Sequence, residues 1–517
     1  MFVQVQGFPN GWLFLLLLFV TGITWISHRI LAERNYQRKY KFPPIVPGLP
    51  LVGNAFQIPQ TNQGPYFAEL AKKYGEMFTI KIGGTYWVIL NSQRTAIELL
   101  EKRAAKYSSR MDFPMANELV SRGNRILLMP YGDLWRSERK IIHKILNSTQ
   151  MSHFEPFQDV ESRVMLLDYL QSPEGWFRAH GRYSNSVIMS FLFGKRSDSD
   201  DPHVMDLYKT SEAFVQYLMT GKSIVDAFPV LARIPFCKSL QPWRWTADAL
   251  YERTLSVYKR QFDELAERTR KGVQRPCFVS EFLESGAQSN FTPEQSLFIA
   301  GTLLEAGSDT SRMTLDQTVA GAALFPDWVQ RARIELDNVC GHHAERLPAF
   351  ADMPRLPLIR AAIKEAIRWK PSIAETGIPH ATTQDDEFEG YQIPAGTVVT
   401  WNHWGIANDP DEYVQPERFW PERFLNEELD KPLKGHLGFG AGRRACVGYN
   451  VANYSMFIAI ARLVYCFDCV ELPEEPIDTS APLLAAAGAA PFRARLQVRS
   501  EAHRALIERE NMDVTGL

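Results

Sequence analysis

The sequence predicts a mainly α-helical protein with small β-sheets and one N-terminal transmembrane helix. Helix-type spacing of apolar residues dominates from about residue 93 to 380. Short alternating runs near Phe78–Ile82 and Tyr86–Leu90, joined by two glycines, predict a β-hairpin, and Val398–Trp401 is a further strand candidate. The first 28 residues contain no Asp, Glu, Lys or Arg, which is typical of a membrane-spanning segment.

The composition is that of an ordinary globular protein. Of the 517 residues, 45% are hydrophobic and 22% are charged, which excludes an intrinsically disordered chain. Lys plus Arg number 57 and Asp plus Glu number 59, so the net charge of −2 gives no reason to expect a nucleic-acid partner. Six cysteines are too few for a disulfide scaffold and favour a reducing compartment.

Residues 1–32 form the predicted membrane anchor. The stretch from Phe8 to about Ile30 is long and apolar enough to cross a bilayer, and Trp12 and Trp25 suit its two interfaces. Basic residues after this stretch predict that the rest of the chain stays cytosolic. They are Arg29, Arg34, Arg38, Lys39 and Lys41. A cleaved secretory signal would have a basic start and a small-x-small cleavage site, and neither is present.

A basic and proline-rich linker is predicted over residues 33–50. Four prolines lie within Phe42–Pro50. Because proline fixes φ and removes a backbone donor, they predict a stiff, non-helical spacer. Residues 51–517 are expected to form one domain, since no internal repeat, low-complexity tract or clear linker follows residue 50.

The longest predicted helix begins at Pro293 and ends near Phe325. Thr292 and Gln295 have the spacing of a capping box, with proline at the first helical position. In the middle, residues 306–311 have the sequence Ala-Gly-Ser-Asp-Thr-Ser, a poor helix former. This string indicates either a local bulge or ligand contact, or a tolerated glycine beside Ser and Thr side chains that bond back to the helix.

The segment Phe439–Gly448, Phe-Gly-Ala-Gly-Arg-Arg-Ala-Cys-Val-Gly, carries the strongest chemical signal. Its glycines permit close approach to a flat or bulky group. Cys446 precedes a predicted apolar helix over about 450–464, whose N-terminus would stabilise a thiolate. With two arginines to bind anions, these features suit a metal-bound sulfur and a cofactor with carboxylates. Two other interpretations are an inert buried cysteine and a dinucleotide-binding loop, but no βαβ pattern follows.

This segment resembles the haem-binding loop of the cytochrome P-450 family at all five defined positions. They are Phe439, Gly442, Arg444, Cys446 and Gly448. Four further motifs occur in the family's order, so the resemblance spans nearly the whole chain. They are Trp135-x-x-x-Arg139, Ala306-Gly307-x-Asp309-Thr310, Glu365-x-x-Arg368 and Pro421-Glu422-Arg423-Phe424. An overlapping copy contains Arg418, but the family places an aromatic residue, here Phe419, two positions before the motif's proline, which selects Arg423.

The resemblance implies a cytochrome P-450 fold that binds haem b, with Cys446 as the axial ligand of the iron. Further cofactor contacts are implied for Phe439 and Gly448. The implied partners of the haem propionates are Arg444, Arg139, Trp135 and His380. Taken alone, the i,i+3 pair of Glu365 and Arg368 suggests a solvated surface pair. The resemblance instead implies a structural triad that supports the haem loop, formed by Glu365, Arg368 and Arg423.

The resemblance also implies catalytic and substrate-binding residues on the long helix. Proton delivery would fall to Thr310 and Asp309, and Gly307 would let the helix open for oxygen. The predicted substrate pocket includes the helix face formed by Thr302, Leu303 and Ala306. It also includes residues 107–125, 372–379 and 484–490. Within the second of these stretches, Glu375 is hypothesised to meet a polar or basic group on the substrate.

The activity implied is that of a haem-thiolate monooxygenase, which inserts one oxygen atom from O2 into a small apolar organic substrate. About 70 residues follow Gly448, too few for a flavin domain, so NADPH would supply electrons through a separate NADPH–cytochrome P-450 reductase. We expect a single-pass enzyme of the endoplasmic reticulum membrane with a cytosolic catalytic domain. Residues 377–396 resemble fungal members, which predicts tailoring of a secondary metabolite. Alternatives are a detoxifying xenobiotic hydroxylase, a reductase-independent isomerase or dehydratase, and a non-catalytic haem-binding or gas-sensing protein.

Overall fold

The computed structural model describes most of the chain. It covers residues 11–198, 201–218, 223–234, 238–286, 290–371, 375–480, 482–484 and 488–512. The first ten residues of the predicted anchor lie outside the described residues. So do residues 372–374 and 485–487 of two predicted pocket stretches.

The fold is mostly α-helical, as predicted, and the helices surround one long central helix. The helices are α1 (Gly11–Lys39), α2 (Gln63–Tyr74), α3 (Gln93–Ile97), α4 (Ala104–Tyr107), α5 (Asp133–Leu146), α6 (Met151–Gln171), α7 (Trp176–Phe193), α8 (Pro202–Val215), α9 (Ile224–Ala227), α10 (Pro242–Arg270), α11 (Phe278–Glu284), α12 (Pro293–Leu324), α13 (Pro326–Cys340), α14 (Pro357–Arg368), α15 (His403–Ala407), α16 (Tyr449–Cys466) and α17 (Glu501–Glu510). The largest apolar core lies where α12 packs with α6, α7, α14 and α16.

Small sheets flank the helices. The strands are β1 (Met77–Ile82), β2 (Thr85–Leu90), β3 (Ser109–Arg110), β4 (His380–Ala381), β5 (Asp386–Phe388), β6 (Tyr391–Ile393), β7 (Val398–Trp401), β8 (Phe467–Glu471) and β9 (Ala494–Val498). One sheet has the order β1-β2-β7-β4-β3, and the pairs β5-β6 and β8-β9 form two others. The predicted hairpin is confirmed as the antiparallel pair β1-β2, and the predicted strand Val398–Trp401 is confirmed as β7.

Helix α1 contains a 26-residue stretch, Phe14–Lys39, which is long and apolar enough to cross a membrane. Its C-terminal end is bound to the β1-β2 hairpin. Lys81 on β1 donates to Glu33 at 2.5 Å, and Gln37 donates to the hydroxyl of Tyr86 at 3.2 Å. Since α1 is helical as far as Lys39, the first seven residues of the predicted linker belong to the helix.

Helix α12 has the predicted capping box. The Thr292 backbone N–H donates to Gln295 Oε1 at 2.8 Å, and the Gln295 N–H donates to Thr292 Oγ1 at 3.2 Å. No bulge interrupts α12, because Ser308 and Thr310 bond back to carbonyls four residues earlier, each at 2.7 Å. Sequence alone had left this arrangement and a bulge equally open.

Gly307 has a packing role in α12. A Cβ atom at this position would lie 2.9 Å from the side chain of Ile188 on α7. Glycine therefore allows α7 and α12 to approach closely. The expected role of Gly307 in opening the helix for oxygen stays a prediction.

Candidate active site: an accessible cysteine beside an arginine cluster

Cys446 lies in the loop that leads into α16. Its backbone N–H donates to the Phe439 carbonyl at 2.8 Å, which folds the loop back on itself. The Gly448 N–H, at the N-cap of α16, forms a hydrogen bond with the cysteine sulfur. The sulfur therefore faces a backbone donor at the end of a helix, where the partial positive charge favours a thiolate.

Gly442 fixes the path of this loop. Its φ is 64°, in the left-handed region that favours glycine. A Cβ atom would lie 2.0 Å from the carbonyl oxygen of Leu100, a distance that no side chain could accept. The loop consequently packs directly on the segment that follows α3, and this contact holds Cys446 in place.

The Cys446 side chain is accessible, whereas those of Cys277, Cys340 and Cys466 are buried. Protein surrounds the accessible sulfur, and this enclosure raises the pKa of the Cys446 thiol. The Gly448 N–H and the Arg139 guanidinium act in the opposite direction and lower that pKa. An inert, packed cysteine does not match this arrangement, but a sulfur that binds a cation inside the protein does.

Arg444 and Arg139 both lie over the rings of Trp135, beside the cysteine loop. The guanidinium carbon of Arg444 is 4.3 Å from the centre of a Trp135 ring, and that of Arg139 is 5.8 Å away. Both arginines bind backbone carbonyls, with Arg139 donating to Ala445 at 2.5 Å and Arg444 to Met129 at 2.7 Å. The structure therefore brings together three of the four predicted propionate partners.

Arg110 is a further cation of this group, which sequence reasoning missed. It is buried, donates to the carbonyls of Leu127 at 3.0 Å and Ile378 at 2.6 Å, and lies opposite His380 in the β3-β4 pair. Burial lowers the pKa of Arg110 well below its ordinary value, and the nearby charges of Arg444 and Arg139 lower it further. The three guanidinium groups thus repel one another in a poorly solvated place.

His380 is buried and bonded to the backbone. Its Nδ1 lies 2.6 Å from the carbonyl oxygen of Tyr107, which can only accept, so Nδ1 carries the proton. Burial and the Arg110 charge keep the pKa of His380 well below its ordinary value. The contact of His380 with a propionate stays a prediction.

The residues present fit a haem. Within the described ranges, Arg110, Arg139 and Arg444 form no ion pair with a carboxylate and donate to backbone carbonyls. Burying several cations without a counter-charge is costly. A cofactor with two carboxylates supplies that counter-charge, and the Cys446 sulfur supplies an iron ligand. Burial and Arg139 lower the pKa of Arg444 to about 9, which shows how strongly the cluster needs an anion.

The central helix α12 has an accessible stripe in its middle. Ala306 is exposed although its neighbours Leu303, Leu304 and Glu305 are buried, and Thr310, one turn further, is partly exposed. Thr310 donates to the Ala306 carbonyl at 2.7 Å, so its oxygen lone pairs remain available as acceptors. An open stripe in the middle of a core helix is suited to binding a flat cofactor and its substrate.

Asp309 is less free than its predicted role requires. Its carboxylate accepts from Arg312 at 2.5 Å, and Arg312 is buried between the rings of Phe177 and Tyr208. Burial lowers the pKa of Arg312, but the charges of Asp309 and Asp316 and the contacts with Tyr208 and Asp309 together raise it above its ordinary value. Asp309 can therefore take part in proton delivery only when its contact with Arg312 opens.

The predicted triad residues are in contact. Arg368 donates to both oxygens of Glu365, at 2.7 and 2.8 Å, and Arg423 approaches Glu365 at 3.2 Å. Glu365 is fully buried and Arg368 is 1% exposed. Arg418 instead pairs with Asp327 at 2.6 Å, so Arg423 is the arginine that contacts Glu365.

The triad ties α14 to the segment before the cysteine loop. Arg368 also donates to the carbonyls of Ala407 at 2.7 Å and Pro416 at 2.9 Å, and Arg423 donates to that of Val414 at 2.7 Å. Charged side chains thus hold irregular backbone that has few ladder hydrogen bonds of its own.

Glu375 caps a helix in this structure, and its hypothesised contact with a substrate group stays a prediction. Its Oε2 accepts from the backbone N–H of Gly64 at 2.8 Å, in the first turn of α2, and Asn62 provides a second backbone donor. A carboxylate at a helix N-terminus satisfies unpaired N–H groups and the helix dipole. This long-range helix cap accounts for the buried acid without a substrate group.

Glu138, on α5 between Trp135 and Arg139, is a second residue that sequence reasoning missed. It is fully buried, and neither carboxylate oxygen has a hydrogen-bond partner within the described part of the chain. Burial raises the pKa of Glu138 to about 8, so it is protonated at neutral pH. The sequence did contain a signal for its burial, because Glu138 lies three positions after Trp135 and therefore on the same buried helix face.

Replacing Glu138 by Gln should change how stability depends on pH. The unfolded chain releases the Glu138 proton near its ordinary pKa of 4.5, and the folded protein keeps it to about 8. Folding therefore takes up a proton between these values, and the free energy of unfolding falls as pH rises, by at most about 1.4 kcal/mol per pH unit. Gln has no such proton. The free energy of unfolding of the variant, measured in urea, should therefore rise relative to that of the wild type from pH 5 to 8. The exposed Glu252→Gln is the control, and a constant difference across pH would contradict this account.

Comparison with known proteins agrees with the site. The family model described as "Cytochrome P450" matches residues 43–491. The chain is 33% identical to the cytochrome P450 monooxygenase fogE of Aspergillus ruber, over 84% of this chain and 81% of that protein. It is 32% identical to virE of Hypocrea virens over 93% and 90%, and 34% identical to aneD of Aspergillus aculeatus over 91% of each, both also named cytochrome P450 monooxygenases. The predicted family is confirmed, and the chain belongs to the cytochrome P450 monooxygenases, oxidoreductases that bind haem and incorporate oxygen.

Proposed function

We propose that this protein is a membrane-anchored haem-thiolate monooxygenase that inserts one oxygen atom from O2 into a small, largely apolar organic compound. The observation that carries the proposal is the accessible Cys446 sulfur, bonded by the Gly448 N–H, beside three arginines that have no acidic partner among the described residues. A thiolate-ligated haem supplies oxygen activation when it is bound.

The side chains of this protein position the cofactor and manage protons. Cys446 would ligate the iron, with the Gly448 N–H tuning the basicity of the sulfur. Arg110, Arg139 and Arg444 would hold the propionates and fix the orientation of the ring. Thr310 would bind a water through its free lone pairs and, after rotation about χ1, donate its own proton on the accessible side of α12.

The electron donor would be a separate NADPH–cytochrome P450 reductase. A basic surface around Tyr131 supports this partner. Arg136 and Arg443 both lie over the Tyr131 ring, with guanidinium carbons 5.5 and 5.4 Å from its centre. Lys140 and Lys144 are exposed on the same helix as Arg136. Surface charge of one sign beside the cysteine loop would attract an acidic electron donor.

Helix α1 would anchor the enzyme in the endoplasmic reticulum membrane as a single span, with the catalytic domain in the cytosol. The basic residues at its C-terminal end support this orientation. The substrate would be a secondary metabolite that the enzyme tailors, and the fungal origin of the relatives supports this choice.

Isotope labelling tests the function. The full chain in microsomes would be incubated with a P450 reductase, NADPH, 18O2 and a panel of terpenoid and aromatic metabolites. We expect a product that carries one 18O atom and requires NADPH. Conversion of a panel compound without NADPH and without label would instead favour the isomerase or dehydratase alternative.

A further inference from the structure

The segment over residues 223–233, between α8 and α10, covers part of another segment of the chain. We call it the cover segment, and residues 112–118, on which it packs, the inner segment. Val225 and Ala232 of the cover segment are 0% and 4% exposed and share one apolar core with Phe113 of the inner segment. The inner side of the cover segment is therefore apolar and lies directly on the inner segment.

The inner segment is fixed at both ends beside the candidate active site. Two residues before it, Arg110 belongs to the arginine cluster. Beyond its other end, Arg125 forms a buried ion pair with Glu305, the residue before the exposed Ala306 on α12. The inner segment therefore connects the arginine cluster with the accessible stripe of α12, and the cover segment buries part of its surface.

A single exposed arginine fastens the cover segment to both ends of the inner segment. Arg233 donates through Nη2 to Asp112 and, at 2.5 Å, to Glu118. The two carboxylates lie at the first and the last position of the inner segment. The side chains of Arg233, Asp112 and Glu118 are 54%, 51% and 31% exposed, so water and salt reach all three charges.

Asp226 adds a second fastening point. Its Oδ1 accepts from the backbone N–H of Met115 at 2.9 Å. This N–H lies in the first turn of a short helical stretch, Pro114–Leu119, where N–H groups lack partners inside the helix. The cover segment also meets the β1-β2 hairpin, because a Cβ atom on Gly83 would lie 1.9 Å from the carbonyl oxygen of Ala227. The cover segment thus rests on the hairpin and is tied to the inner segment by polar contacts.

The polar contacts of the cover segment are its weakest attachment. Exposed ion pairs contribute little to stability, and salt screens them, whereas a buried pair such as Arg125–Glu305 is screened much less. Local opening of a segment costs only a fraction of the free energy of global unfolding when few strong contacts hold it. The cover segment can therefore lift from the inner segment while the inner segment stays attached to α12 through Arg125.

We propose that Arg233 and Asp226 form a salt-sensitive latch between the cover segment and the inner segment, and that opening of this latch sets the rate at which a bulky substrate enters the candidate active site. This inference rests on the proposed monooxygenase function. Loops that close over an active site commonly control entry and release. A diatomic ligand needs far less room than the substrate, so its entry should depend much less on the latch.

Ligand association with the reduced, full-length holoprotein tests the latch. Phenyl isocyanide is the bulky probe and carbon monoxide the small one, because both are uncharged and bind ferrous haem. In stopped-flow mixing, the association rate of phenyl isocyanide should rise about 3- to 10-fold when NaCl is raised from about 0.01 M to about 1 M, which shortens the screening length from about 30 Å to about 3 Å. The rate for carbon monoxide should change by less than about 2-fold.

Charge reversal identifies the latch residues. Arg233→Glu places a third negative charge beside Asp112 and Glu118, so entry of phenyl isocyanide should be about 10-fold faster at low salt and should slow as salt screens the repulsion. The triple variant Arg233→Glu with Asp112→Lys and Glu118→Lys should restore slow entry that salt accelerates. Asp226→Ala should accelerate entry at every salt concentration and keep the salt dependence. A merely structural role of Arg233 would predict neither the reversed salt effect nor the rescue.

Arg253→Glu is the matched control, because Arg253 forms an exposed ion pair with Asp206, at 2.8 Å, that joins α10 to α8 instead. It should keep the wild-type rates and salt response. An entry rate that does not respond to salt in the wild type, or a wild-type salt response in Arg233→Glu, would overturn the latch. Hydrogen exchange by mass spectrometry tests the latch without any haem ligand, since both segments should exchange faster at high salt in the wild type but not in Arg233→Glu.

The reduced, carbon monoxide-bound spectrum separates the latch from the proposed function. Thiolate ligation together with salt-independent entry would leave the proposed function intact and remove the latch. Absence of thiolate ligation would remove the proposed function, and hydrogen exchange would still decide whether the latch exists.

Discussion

Cys446→Ser should abolish oxygenation. The hydroxyl of serine is a poor iron ligand compared with a thiolate, and the Gly448 N–H would no longer face a sulfur. We expect the spectrum of the reduced, carbon monoxide-bound protein to lose the band of thiolate-ligated haem. NADPH-dependent turnover should fall on the order of 1,000-fold or more, as when a group central to the chemistry is removed.

The matched control is Cys277→Ser, at the N-cap of α11 and away from the cysteine loop. Serine is a favourable N-cap residue, so this variant should keep both the spectrum and the turnover. Retention of the thiolate band in Cys446→Ser would show that another residue ligates the iron, and the site described above would then be wrong.

Glu365→Gln should have the largest effect on stability. The substitution removes the carboxylate that neutralises both Arg368 and Arg423, and Arg368 is 1% exposed. Removing one partner of a buried ion pair leaves an uncompensated charge, so we expect the free energy of unfolding to fall by about 3–5 kcal/mol. Guanidinium unfolding of the holoprotein, followed by circular dichroism and haem absorbance, measures this loss.

Haem should be lost from the Glu365→Gln variant before the helices unfold, because the triad holds the segment that precedes the cysteine loop. The exposed pair Lys259–Asp263 provides the control, and Asp263→Asn should leave the unfolding curve unchanged. If Glu365→Gln matched this control, the triad would not support the loop in the way the contacts indicate.

Features encoded by neighbouring residues could be predicted from the sequence. The capping box of α12 needs only Thr292 and Gln295, and the β1-β2 hairpin needs two alternating runs joined by glycines. The cysteine loop could be predicted for the same reason, because the conformations of its glycines and the start of α16 depend on neighbouring residues.

Features that depend on distant contacts could not be predicted from residue patterns. Glu365 and Arg368 have the spacing of a solvated surface pair, and their burial depends on the packing of α14 in the core. Arg110 joins the arginine cluster because β3 pairs with β4, some 270 residues away in the chain. The helix cap formed by Glu375 could not be predicted, because its partner, the Gly64 N–H, is 311 residues away. Family resemblance supplied the triad, but it identified neither Arg110 nor the helix cap.

The contacts between α1 and the β1-β2 hairpin indicate where the chain should be shortened to remove the membrane-spanning stretch. The ring of Tyr86 stacks on Tyr36 and Phe42, with centres 5.6 and 4.7 Å apart, and Glu33 is the acid that neutralises Lys81. Truncation at the proline segment would remove Tyr36 from the ring of Tyr86. It would also leave the partly buried Lys81 without its carboxylate partner, Glu33. A shortened chain that begins between Ile30 and Glu33 lacks the apolar part of α1 but keeps the contacts of α1 with the hairpin. It should therefore crystallise more readily than a chain that begins at the proline segment.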